Sequence, residues 1–410
     1  MHQIRAMVIV GAGHAGGRAG QALRELGWKG PIVMIGAETH LPYERPPLSK
    51  GLLTGAQDAV SCALRPAADH DRDLITHCVA WVDRIDTRRR EVVLDGGRRI
   101  AYEALLLATG GHLRRLSVPG AGGAGLLGLR TLDDAASLQP RLTPGARLVI
   151  VGGGFIGLEV AASARQRGCE VTLIEGAASL LGRAVPPAIG ARVLALHRAH
   201  GVDVRLQASP TAFGTDGQGH QTVQLADGSV LTADTVVVGV GIVPATELAE
   251  AAGLAVARGI RVDAGLRTSD AHVFAAGDVA EFPSPLSGEP IRQETWHNAE
   301  TQARVAAANM LGGHETCSQL PWFWSDQYDH QLQVSGEPAL GVRRVSRLLG
   351  DEAQIDFHLD GDGRLVGASG FGPTTVVARE LKLARLLVER RRQPAAEALA
   401  DPGVKLKSLA

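Results

Sequence analysis

Two glycine-rich turns, 141 residues apart, restrict what this 410-residue chain can fold into more than any other feature. The first lies in MVIVGAGHAGG, residues 7–17, where Val8, Ile9 and Val10 lead straight into Gly11, Gly13 and Gly16. The order implied is a buried strand, a tight turn and a helix start. Gly11 permits the turn, Gly13 lets a pyrophosphate approach the backbone, and Gly16 lets the helix close on its strand. The amides at that helix N-terminus then point at phosphate. A second apolar run, 32–35, precedes Glu38, which lies 22 residues beyond Gly16 and suits a ribose diol. Strand, turn and acid together favour dinucleotide binding over an incidental glycine turn.

The second copy, VIVGGGFIG at 149–157, repeats the pattern with Gly152, Gly154 and Gly157. An alanine-rich helix is predicted over 159–167, Gly168 stops it, and a strand follows over 170–174. Glu175 ends that strand 18 residues beyond Gly157. Two such constellations in one chain imply two nucleotides. Further apolar strands with small-residue exits are predicted at 104–110, containing Ala108, Thr109 and Gly110, and at 235–241, ending in Gly241. A third at 273–278 ends in Asp278. Residues 118–125 read as a linker.

The pattern predicts a split architecture in which residues 1–112 and 245–318 form one nucleotide domain and 113–244 a second, inserted domain. From Pro321 the composition changes to Trp322-Phe323-Trp324 and then to alternating strands. A terminal helix over 375–392 buries Leu381, Ala384, Leu387 and Val388, giving a third, α+β domain over 319–410. The expected class is α/β, with two Rossmann-like domains and this C-terminal domain. A formal net charge of −1 draws the chain to neither nucleic acid nor an anionic membrane. No apolar run reaches the ~18 residues of a membrane span. Because the N-terminus leads directly into a strand, no signal peptide is expected and the cytoplasm is the simplest location. Cys62, Cys78, Cys169 and Cys317 are scattered, without a C-x-x-C pair or metal spacing.

The two glycine motifs, PYERPPLSK (42–50), Ala108-Thr109-Gly110, FAAGD (274–278), TWHNA (295–299) and PWFWSDQY (321–328) together resemble FAD-dependent NADH:ferredoxin reductases, the flavoprotein components of bacterial dioxygenase and cytochrome P450 systems. The resemblance spans nearly the whole chain. It implies a glutathione-reductase-like fold, FAD in the first domain, NADH in the second, and a [2Fe–2S] ferredoxin as electron acceptor. It assigns the FAD pyrophosphate to Gly11, Gly13, Ala15 and Gly16, with Arg45 and Lys50 beside the flavin. Val82 would contact adenine, Asp278 the ribityl or phosphate part, and Trp296 and His297 the isoalloxazine edge. Arg130 would also face FAD. Relatives often carry an acid where Ala37 stands here, so either Glu38 takes the FAD ribose alone or a water does.

Lys50 would stabilise the negative charge that develops on the flavin as hydride arrives, and Glu159 would pair with it and meet the nicotinamide. Gly152, Gly154, Ile156 and Gly157 would hold NADH, completed by Glu175, Arg183 and the turn at Gly241. The 2′-phosphate of NADP would bring about −1.5 to −2 charges toward Glu175. Even unit like charges at ~4 Å and an effective dielectric of ~20 repel by about 4 kcal/mol, so Glu175 predicts NADH. Disulfide reductases of this fold need a cysteine pair beside the flavin, and 39–50 contains none. Electrons are therefore expected to leave singly, to an external metal centre. Trp296, Trp322 and Trp324 are candidates for the exit edge. Arg379, Lys382, Arg385 and residues 390–392 of the terminal helix form either a docking face for an acidic ferredoxin or a solvated charge run. The alternatives are a rubredoxin reductase or NADH oxidase-like flavoprotein and, in another class, an FAD/NADH-responsive interaction protein resembling apoptosis-inducing factor.

Overall fold

The computed structural model describes residues 5–123 and 125–410. These residues divide into two compact units: 5–45, Val60–His112 and Ile242–Pro321 in one, and Pro46–Ala59, the described part of Leu113–Gly241, and Trp322–Ala410 in the other.

In the first unit the apolar run after Arg5 forms strand Ala6–Val10, buried throughout. It lies between Ile32–Gly36 and Arg99–Leu107 in parallel, and Ile75–Val79 and Val273–Ala275 extend the parallel sheet on either side. Burial on both faces is what continuous apolar strands dictate. Helices His14–Glu25 and Trp296–Met310 share one apolar cluster with this sheet, containing Ile9, Leu23, Leu106, Phe274 and Ala303. Arg99–Leu107 stops short of the predicted 104–110, so Ala108, Thr109 and Gly110 form the exit from the strand. Val273–Ala275 likewise ends early, and Gly277–Val279 is a short 3₁₀ turn.

The second unit repeats the arrangement. Arg147–Val151 lies between Glu170–Glu175 and Thr235–Val238, with Asp203–Leu206 and Leu126–Leu127 outermost, all parallel. Helix Phe155–Gln166 begins four residues before the predicted 159, because the third glycine of the loop already lies inside it. Gly168, at φ +83°, ends it as expected. Residues 118–125 are not a free tether, and Ala124 within them lies outside the described residues. The carbonyl of Pro119 accepts from Phe213 N at 2.9 Å, and a Cβ on Gly120 would sit 2.0 Å from Phe213 O.

The same unit contains five antiparallel strands, in the spatial order Trp322–Gln327, His330–Gly336, Leu365–Pro373, Ala353–Leu359, Arg343–Leu349. Helix Thr374–Glu389 buries Leu381, Ala384, Leu387 and Val388, the face that the sequence periodicity predicts. It ends before Arg390–Arg392, because Arg391 turns left-handed and its amide folds back to Val388 O.

Arg347 is 1% exposed inside this sheet. Its guanidinium donates to the carbonyls of Asp401 and Val404 and pairs with Glu380 at 3.4 Å. Removing one partner of a buried ion pair costs about 3–5 kcal/mol. Arg347→Met is expected to destabilise the protein on that scale, read as an earlier unfolding transition with faster proteolysis of the last ten residues.

Candidate functional site

Within the first unit the loop glycines divide by what surrounds them. Gly11 has φ +110°, and a Cβ there would stand 2.1 Å from Ala108 O. At Gly16 it would stand 1.9 Å from Gly11 O. Both glycines are thus required by the chain itself. A Cβ on Gly13 meets only Arg45 Nη2, at 3.6 Å. Gly13 caps helix His14–Glu25 without any side-chain hydrogen bond to the first turn. A close-packed turn that leaves its middle glycine open beside a helix start fits a dinucleotide pyrophosphate.

Other predicted residues gather there. Arg45 pairs with Glu38 at 3.1 Å, and Tyr43 donates to the same carboxylate at 2.5 Å. A Cβ on Gly277, beside Asp278, would stand 3.1 Å from Ala15 Cβ. Thr109 Oγ1 donates to Ala245 O at 2.8 Å and secures the strand exit. Trp296 and His297 start helix Trp296–Met310, and the Trp296 ring lies 5.2 Å from that of His14. His14, not singled out in the sequence, bonds Glu300 at 2.8 Å, and Arg18 holds the other oxygen. Burial works to raise the Glu300 carboxyl, but these two partners outweigh it and hold its pKa low. Val82 pairs with Leu94 in a hairpin and packs on the neighbouring apolar cluster, while Gly110, at φ +66°, completes the turn beyond Thr109.

The second unit repeats the geometry. A Cβ on Gly152 would stand 2.5 Å from Gly239 O, one on Gly157 2.0 Å from Gly152 O, and one on Gly154 meets nothing within 4 Å. Gly154 also caps its helix without a side-chain bond. Glu175 accepts from Gly153 N and Ala177 N, each at 2.7 Å, which holds its carboxylate beside the loop. Ile156 is exposed in the first helical turn, Gly241 is exposed at φ +96°, and Arg183 is exposed in the turn after Leu181. Leu181 N bonds Gly153 O at 3.2 Å. Arg130 belongs to this unit too, and its amide donates to Asp134, the acid of a capping box with Thr131.

Glu159, two residues beyond Gly157, is 5% exposed on helix Phe155–Gln166. Lys50 Nζ lies 3.5 Å from it and 2.7 Å from Asp326. Ser49 and Ser325 donate to its two oxygens at 2.5 and 2.6 Å. Burial pushes the Glu159 carboxyl upward, against the pull of Lys50 and both hydroxyls. Burial also acts to raise Asp326, but Lys50, Gln331 and Trp324 prevail and hold it low. The Trp322 and Trp324 rings stack at 5.1 Å, and Lys50 Nζ stands 5.8 Å from the centre of Trp324. The predicted Lys50–Glu159 pair therefore exists. Ser49, Ser325 and Asp326 went unread, although each lies within PPLSK or PWFWSDQY.

Behind Ser325, Gln327 bonds His197, which is wholly buried. Burial pushes the His197 imidazole down to about 4. Folded His197 stays neutral where the unfolded chain, at ~6.5, takes a proton. Its contribution is unaffected above that pH and is lost on acidification toward pH 4, by about 3 kcal/mol. A His197→Leu variant is expected to lose less stability over that interval, measured as thermal midpoint against pH.

Residues 5–303 match the pyridine nucleotide-disulphide oxidoreductase family, and residues 322–410 match the reductase C-terminal domain. The chain belongs to this oxidoreductase family. Despite the family's name, the four cysteines are all free, three of them buried. Over 405 residues the chain is 45% identical to the ferredoxin–NAD(+) reductase component of the anthranilate 1,2-dioxygenase system of Burkholderia cepacia, covering 98% of each. It is 39% identical to putidaredoxin reductase of Pseudomonas putida, over 87% of this chain and 86% of that one. Among solved structures, putidaredoxin reductase in covalent complex with putidaredoxin superposes with a TM-score of 0.94 at 36% identity, over 99% of this oxidoreductase and 98% of that chain.

Proposed function

We propose that this oxidoreductase takes electrons from NADH through FAD and delivers them to a [2Fe–2S] ferredoxin that feeds an oxygenase or cytochrome P450. The observation that supports it most is Lys50, held between the buried Glu159 and Asp326 in a chain with no cysteine pair. FAD, when bound, accepts a hydride and releases electrons one at a time. In this reading Gly11, Gly13, Ala15, Gly16, Asp278 and the 108–110 exit hold FAD, Glu38 and Arg45 its ribose and phosphate side, and Trp296 and His297 its ring edge. Val82 and Arg130 are carried over from the resemblance as further FAD contacts. Lys50 supplies positive charge and Glu159 orients it. Gly152, Gly154, Ile156, Gly157, Glu175, Arg183 and Gly241 hold NADH.

The three-part division at 1–112 with 245–318, 113–244, and 319–410 belongs to the same reading, supported by the separate match of 322–410. The cytoplasm is the compartment we propose. Among the described residues no helix is long and apolar enough to cross a membrane.

The test is anaerobic reduction of the flavoprotein by NADH, then cytochrome c reduction with and without a [2Fe–2S] ferredoxin. Ferredoxin is expected to accelerate turnover strongly. No acceleration, with rubredoxin active instead, would point to rubredoxin; a relative named rubredoxin–NAD(+) reductase is 40% identical over 81% of this chain. For the nicotinamide, kcat/KM is expected to favour NADH over NADPH by about 10²–10³, from ~4 kcal/mol of repulsion at Glu175. Glu175→Gln should narrow that ratio while the flavin spectrum stays unchanged.

A further inference from the structure

Glu159 stands at the end of a buried series of hydrogen bonds whose direction is forced. Ser325 Oγ donates to its Oε1 at 2.6 Å. Ser325 then has only lone pairs left, and the neighbour it needs is the amide nitrogen of Gln327, at 2.9 Å. That turns the Gln327 carbonyl oxygen toward His197 Nε2, also at 2.9 Å. Oε1 accepts only, so His197 carries its proton on Nε2, and Nδ1, buried without a hydrogen-bond partner among the described residues, carries none. All three side chains are essentially sealed from solvent. Every dipole in the series points its positive end at Glu159, and bonds so aligned polarise one another.

The far end is braced by ring contacts. The Tyr328 ring stacks on His200 at 3.6 Å and lies 5.4 Å from His197. Tyr328 adopts φ +59°, a conformation bulky residues avoid, immediately after Gln327. A plain hairpin does not require a tyrosine there, nor a histidine with a stranded nitrogen.

We propose that Ser325, Gln327 and His197 are positioning residues for hydride transfer: they keep Glu159 ionised and aimed at Lys50 despite its burial. This rests on the reading of Lys50 and Glu159 given under the proposed function. The titratable groups that face Glu159 are Lys50 and Asp326, and those near His197 are His200 and Tyr328, with Arg165 acting on Tyr328.

The test uses flavin-loaded protein and two variants, Ser325→Ala and Gln327→Met. The carboxyl infrared band of Glu159, identified by its loss in Glu159→Gln, is followed against pH in the oxidised protein, and anaerobic flavin reduction by NADH is followed by stopped flow. Ser325→Ala removes a donor to the carboxylate and is expected to raise the band's titration midpoint by about one pH unit, and Gln327→Met, which removes only the donor behind Ser325, by a smaller step in the same direction. The pH profile of reduction should move upward with it, slowing the rate about tenfold on the acid side, with NADH affinity and flavin content unchanged. If one variant fails to hold FAD, the other carries the test. Should Lys50→Met and Glu159→Gln slow reduction while both new variants keep the wild-type midpoint and profile, this inference falls and the proposed function stands. Should Lys50→Met and Glu159→Gln reduce at the wild-type rate, the roles proposed for Lys50 and Glu159 are lost, and this inference with them.

Discussion

Gly16→Ala yields a protein that retains almost no flavin and melts well below the wild type. The alanine Cβ would lie 1.9 Å from the carbonyl oxygen of Gly11, a backbone atom that cannot swing aside. Relief requires the helix to lift from strand Ala6–Val10, at the centre of the sheet, and overpacking there costs about 1–3 kcal/mol or more. The amides of the first helical turn move with it, so the phosphate site is lost together with the packing. Gly13→Ala separates the two effects. Its Cβ meets only the far end of Arg45, at 3.6 Å, and its backbone is extended, so the fold accepts it. It would nevertheless occupy the space we propose for a pyrophosphate. The flavin-free melting temperature is expected to stay unchanged while the FAD dissociation constant rises by tenfold or more, about 1.4 kcal/mol. Thermal unfolding of the flavin-free protein measures the first and ultrafiltration with flavin absorbance the second, and full FAD retention by Gly13→Ala would remove the phosphate from this loop.

Lys50→Met slows flavin reduction by NADH by about 10²–10³, the scale on which removal of one preorganised charge is felt. The flavin stays bound, because Lys50 is not among the residues assigned to its phosphates. Without the ammonium 3.5 Å away, Glu159 keeps its burial and loses its largest stabilising charge, so its carboxyl pKa climbs further. The variant should therefore titrate at higher pH than the wild type, on top of its lower plateau. Asp326 loses its 2.7 Å bond and drifts upward as well, but its half-open side chain softens that change. Lys50→Arg is expected to recover only part of the rate, since a planar guanidinium does not share a point charge between two carboxylates as an ammonium does. Anaerobic stopped flow across pH distinguishes these outcomes, and a wild-type rate in Lys50→Met would end the assignment.

The glycine loops could be read from the chain because each is a local event. An apolar strand, a glycine at φ +110° and a helix start within ten residues leave few alternatives, and the second copy obeys the same sterics at Gly152 and Gly157. The buried face of the terminal helix was legible for the same reason, since a 3.6-residue period needs no distant partner. Element ends were less so: Arg390–Arg392 fall outside that helix because the chain turns left-handed at Arg391.

Only the tertiary structure decided the surroundings of Glu159. Ser49 and Ser325 stand 110 and 166 positions from it in the chain, and the short segment Pro46–Ala59 clusters with the second unit rather than with the residues on either side. Sequence spacing carries no signal at such separations, because a hydroxyl finds its carboxylate only after the strands and helices bearing them have packed. What the chain states by itself is where two glycine turns of the dinucleotide-binding type lie. Which charges are buried together, and which partners each is left with, follows from folding, which withdraws water and leaves each buried polar atom only the groups around it.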